Sequence, residues 1–128
     1  MKTKKNILIV TDGMESTQKI AEKIAVQLSG NRVVLLTALD VAGTDVLPAD
    51  AYFLGCEKRQ PSSFAYLEEL LRHINLVRRP CGIFSSQSKM AVKYLTSLVR
   101  DSEMALYPQP YFENEEADLS KWVEAVLG

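Results

Sequence analysis

Short apolar runs and helix-periodic stretches alternate along the whole chain. The run Ile7, Leu8, Ile9, Val10 follows a solvated Lys2-Thr3-Lys4-Lys5 lead and suits a strand buried on both faces. Ile20, Ile24 and Leu28 then recur at four-residue spacing beside Ala21 and Ala25, which predicts a helix with Ser16 as its N-cap and Ser29-Gly30-Asn31 as its stop. Further strands are predicted at residues 33–39, 51–54, 81–84 and 103–107. The last is halted by Pro108 and Pro110, which cannot donate to a central ladder. Gly43 and Pro48 leave room in residues 40–50 for a short turn of helix at most. Phe64, Leu67, Leu71 and Ile74 predict a helix beginning near Ser62 or Ser63. Met90 or Ala91, with Tyr94, Leu95 and Leu98, predicts another, and Leu119, Trp122, Val123 and Val126 a last one.

Strands that read as continuous apolar runs, alternating with helices, predict an α/β fold: a parallel sheet covered by helices on both faces. Residues 1–128 read as one domain, without repeat, linker or low-complexity segment. In such sheets ligands bind outside the carboxyl ends of the strands. That rule selects three loops. The first holds Thr11, Asp12, Gly13, Met14, Glu15, Ser16 and Thr17, the second starts at Gly55, Cys56 and Glu57, and the third is Ser85-Ser86-Gln87-Ser88.

Charge and composition narrow the function classes. Fifteen Lys and Arg against 16 Asp and Glu give a net charge of −1, which offers no electrostatic case for nucleic acid or an anionic membrane. Cys56 and Cys81 are too few for a disulfide framework and fit free thiols in a reducing compartment. With no signal peptide or membrane span in view, a soluble cytoplasmic protein is expected. The sole histidine, His73, falls on a polar stretch of a helix, and no metal-ligand cluster or hydrolase triad is apparent. A phosphorylatable receiver would carry an acidic pair after the first strand, an aspartate after the third and a lysine after the fifth. Here those places hold Thr11-Asp12, Gly55-Cys56 and Tyr107-Pro108.

Two segments carry a resemblance. V-T-D-G-M-E-S-T-Q-K-I-A-E-K-I is similar to the phosphate loop and first helix of the flavodoxins, and L-P-A-D-A-Y-F-L-G-C resembles the approach to their third strand. The resemblance covers nearly the whole chain, and the short fifth-strand region resembles the family's shorter class. It implies a flavodoxin-like three-layer α/β/α sandwich with a five-stranded parallel sheet in order 2-1-3-4-5. It further implies flavin mononucleotide (FMN) as cofactor, electron transfer as activity and a redox protein as partner. The implied cofactor residues are Thr11, Asp12, Gly13, Met14, Glu15, Ser16 and Thr17 around phosphate, with Cys56, Glu57, Ser85, Ser86 and Gln87 around the ring. No catalytic acid or nucleophile is implied, since the flavin carries the electrons.

Asp12, Met14 and Glu15 depart from the usual loop, and neither of the other loops offers an aromatic residue for stacking. A carboxylate about 5 Å from a bound anion would repel it by roughly 3 kcal/mol at an effective dielectric of 20. A helix end contributes only about 0.3–1 kcal/mol in return. The other reading of the same residues places Glu15 at a helix N-terminus for its dipole and Asp12 in a local turn bond, and makes the chain a cofactor-free interaction or regulatory domain.

Overall fold

The computed structural model describes residues 4–128. Of the lysine lead, Lys2 and Thr3 lie outside the described residues, while Lys4 and Lys5 are exposed. The elements run β1 (Asn6–Thr11), α1 (Glu15–Gln27), β2 (Arg32–Thr37), α2 (Gly43–Val46), β3 (Ala51–Gly55), α3 (Ala65–His73), β4 (Pro80–Ser85), α4 (Lys89–Ser102), β5 (Ala105–Leu106), β6 (Tyr111–Phe112) and α5 (Leu119–Leu127). The 3₁₀ turns Ala38–Asp40 and Ser62–Phe64 follow β2 and lead into α3.

The sheet is parallel throughout, in the order β2-β1-β3-β4-β5, with β6 also paired to β4. Its two faces explain the unbroken apolar runs. Leu8, Val10, Tyr52, Leu54, Cys81 and Ile83 point into a core completed by α3 and α4. Ile7, Ile9, Ala51, Phe53 and Phe84 point into the opposite core, completed by Ile20 and Ile24 of α1 and by Trp122, Val123 and Val126 of α5. Successive residues of a strand face opposite ways, so only a strand covered twice needs every position apolar.

Three expectations need correction. The second strand stops at Thr37, because 38–40 turns as a 3₁₀ segment that buries Ala38 and exposes Leu39. The helix expected from Ser62 opens as a 3₁₀ turn and becomes α-helical only at Ala65; it ends at His73, before Ile74. The predicted fifth strand over 103–107 shrinks to Ala105–Leu106, since Glu103 caps α4 in the left-handed region (φ 63°). Pro108 and Pro110 interrupt this edge without ending it. Beyond them Tyr111 and Phe112 pair with Phe84 and Ser85, so the edge resumes alongside the carboxyl end of β4.

Candidate functional site

Three connections meet at the carboxyl edge of β1, β3 and β4, and one side chain ties them together. Glu57, half-buried just past β3, accepts through Oε1 from the Ser85 hydroxyl (2.6 Å) and the Ser86 amide (2.7 Å). Its Oε2 accepts from the Ser16 hydroxyl (3.1 Å) and the Ser86 hydroxyl. The Glu57 amide donates in turn to Asp12 Oδ2 (2.9 Å), and Asp12 Oδ1 accepts from the Met14 amide (3.0 Å). Burial alone would raise the Glu57 carboxyl. The Ser85 and Ser86 hydroxyls, the Ser86 amide and the Ser16 hydroxyl outweigh it and hold the group below the usual carboxylate range.

The backbone under this network is fixed from both sides. Gly55 lies opposite Phe84 in the β3–β4 register, and a Cβ there would come within 2.2 Å of the Phe84 ring, so only glycine lets the two strand ends draw level. Past β6, the amides of Glu113 and Asn114 donate to the carbonyls of Ser85 (3.2 Å) and Ser86 (2.9 Å). The resumed edge strand therefore anchors the third loop.

The first loop turns through Gly13 at φ +82°, a conformation glycine adopts without strain. Buried Thr11 accepts from the Gly13 amide (3.1 Å) and donates to Gln18 Oε1 (2.9 Å). Ser16 is not the N-cap of α1. The cap is Met14, whose side chain has no acceptor oxygen, and Ser16 lies inside the first turn with its hydroxyl committed to Glu57. No side chain therefore caps the amides of Glu15, Ser16 and Thr17, and such first-turn amides attract anions. The buried Thr17 hydroxyl has no hydrogen-bond partner, the one buried side-chain polar atom in that state among the described residues. Glu15 is 85% exposed and paired with Lys19 (3.2 Å), so its charge faces water.

The structure thus brings Asp12, Ser16, Glu57, Ser85 and Ser86 into direct contact, with Met14 beside them. Thr11 and Thr17 lie buried beneath, Gly13 and Gln87 are exposed neighbours, and Glu15 stands apart. Cys56 is buried, its thiol pushed up to about 12 by burial and by the nearby Asp12 and Glu57 charges, which disfavours the thiolate. Cys81 is buried likewise and His73 is exposed, bonded to Glu69. One contact escaped sequence reasoning. Gln18 is an ordinary helix residue by pattern, and only its placement one turn past the loop shows that it holds Thr11. The polar Ser85-Ser86-Gln87-Ser88 stretch does turn and cap, as its place before an apolar-periodic segment signals: Ser88 caps α4 through the Ala91 amide (3.1 Å).

Two clefts open at this edge, about 190 Å³ between Met14, Lys58 and Ser63, and about 230 Å³ between Met14, Glu57 and Gln87. A larger one of about 370 Å³ lies at the opposite end, against Asn6, Arg32 and Pro48, lined by the starts of β1 and β2 and by the connection that holds α2. Among the described residues no helix is long and apolar enough to cross a membrane, and no group of His, Cys, Asp or Glu could hold a metal ion.

The sequence matches no protein-family model and no curated protein. In three dimensions the chain is similar to flavodoxin 2 from Bacillus cereus, at 22% identity over 94% of this chain and 97% of that one, with a TM-score of 0.79. The fold is that of the flavodoxins. A short-chain flavodoxin associated with a PDU bacterial microcompartment is also similar, at 13% identity over 98% of this chain and 97% of that one (TM-score 0.79). So is a mutant of the Fusobacterium nucleatum flavodoxin bound to flavin mononucleotide, at 13% identity over 97% and 92% (TM-score 0.68). This flavodoxin-like chain shares their strand order, and its three loops occupy the edge at which such sheets bind ligands.

Proposed function

We propose that the protein binds FMN at the carboxyl edge of the sheet and acts in electron transfer with a redox protein partner. The observation that carries this reading is the first turn of α1: uncapped amides at Glu15, Ser16 and Thr17, directly after β1, with a buried Thr17 hydroxyl that lacks a partner. A phosphate group has the acceptor oxygens this arrangement lacks. The outward Glu15, neutralised in part by Lys19, removes one of the two repulsions expected from the sequence. Asp12 spends both its oxygens on the amides of Met14 and Glu57.

On this reading Gly13, Ser16 and Thr17 hold the phosphate. Thr11 fixes the turn through Gln18, and Met14, Cys56, Glu57, Ser85, Ser86 and Gln87 border the ring. The bound flavin supplies the redox chemistry, taking up and giving back electrons. The chain's own groups set its exposure and the polarity around it, and none is required as acid, base or nucleophile. FMN reconstitution of the purified protein followed by desalting tests the proposal: a retained flavin spectrum that bleaches and returns on reduction and reoxidation is expected. Loss of all flavin, with no saturable fluorescence quenching, would sink it.

A cofactor-free interaction domain on the same fold is the second reading. It draws on the closed Glu57 network, which satisfies the hydroxyls of Ser16 and Ser85 and the Ser86 amide without any ligand. Stoichiometric FMN retained through desalting rules it out.

A further inference from the structure

We propose that Glu57 is an internal latch on this site: its carboxylate takes the donors at which the three loops meet, and it must swing out before a ligand the size of a flavin can enter. The latch rests on the flavin reading above, but it concerns what this chain does without a ligand.

The carboxylate is saturated. Two oxygens receive the hydroxyls of Ser16, Ser85 and Ser86 and the amide of Ser86, so the hydroxyl donors of the first and third loops are committed to Glu57. Those donors cannot serve a ligand at the same time. The available space agrees. The clefts of about 190 and 230 Å³ on either side of Met14 both fall below the roughly 300–1,000 Å³ of sites that enclose small-molecule ligands. Glu57 lines the second of them. Its main chain is pinned by Asp12, so the side chain can rotate while the second loop stays in place. Outward rotation frees three hydroxyls and an amide and opens the floor of that cleft. Closed and ligand-bound forms therefore compete for the same donors, and the apparent affinity is reduced by the fraction of molecules that are open.

The test titrates FMN into the full-length wild type, E57A and E57Q by flavin fluorescence, alongside hydrogen exchange of the Ser86 amide in the ligand-free proteins. If the open form is below about a tenth of the wild-type population, E57A binds FMN at least about tenfold more tightly. Ser86 should exchange faster in ligand-free E57A than in wild type. Circular dichroism reports folding; should E57A not fold, the isosteric E57Q carries the test, with tighter binding and faster Ser86 exchange again expected. Wild-type binding with no gain in the variant overturns the latch and leaves the flavin reading intact. FMN held by the variant alone supports the latch and shows that the resting protein is not a flavin carrier. FMN held by none of the three overturns both.

Discussion

Asp12 and Glu15 stand three residues apart in one loop and do opposite things. Asp12 turns inward and satisfies two amides, of Met14 and Glu57, whereas Glu15 faces water beside Lys19. The sequence shows both as negative charges near a helix start; the difference lies in Gly13, whose positive φ turns the chain between them. Glu57 was legible as a loop residue but not as the hub, because Ser16, Ser85 and Ser86 reach it only through the parallel sheet, across separations of 41, 28 and 29 residues. Its protonation follows from those partners. The folded value lies below the ordinary 4.5, so the stabilisation is complete above 4.5 and is lost as pH falls through the lower folded value. Thermal melts taken from neutral pH downward should show a smaller acid-induced drop in midpoint for E57Q than for wild type. Parallel acid limbs would mean that the serine contacts contribute nothing to folded stability.

At the scale of elements, the helix starts divide by chemistry. Ser88 caps α4, and Asp118 caps α5 through the amides of Ser120 (3.0 Å) and Lys121 (3.3 Å). Helix α1 has Met14 as its N-cap, in an extended conformation (φ −71°, ψ 145°) that a capping serine could adopt unchanged. Met14→Ser should therefore raise unfolding free energy by about 0.5–1 kcal/mol in urea denaturation. The new hydroxyl would claim one of the first-turn amides, so FMN affinity should fall in the same variant. A stability gain with unchanged affinity would place the phosphate elsewhere. The helices and central strands were legible from periodicity because packing and pattern agree there. The last sheet edge was not. Pro108 and Pro110 read as an end, but an edge strand needs donors on one side only, and the chain rejoins β4 beyond them.

For the whole molecule, a net charge of −1 conceals a division. Residues 58–100 hold eight Lys and Arg against two acids, and residues 101–128 hold seven acids against one lysine. Asp101 and Glu103 close α4 on the basic side, and the other five acids follow β6, before and within α5, which covers the opposite face from α3 and α4. Around a cleft of about 310 Å³, Arg59 and Lys93 surround the half-exposed Met90, with Lys89 one turn before Lys93 on α4. Among the described residues none of these three cations is in an ion pair, whereas Arg72 is held by Glu68 and Glu69. A basic patch of this kind acts locally over a Debye length of about 10 Å at 0.1 M salt, so net charge does not cancel it. Near pH 7 and at low salt the protein should be retained on a cation exchanger despite its negative total. The double variant R59E/K93E should elute at markedly lower salt with its melting midpoint essentially unchanged. Equal elution of the two proteins would show that the patch generates no usable field. Retention that depends on Arg59 and Lys93 instead means that a molecule approaching the loop edge over α4 meets positive charge first, so acidic surfaces are steered to it and basic ones turned away.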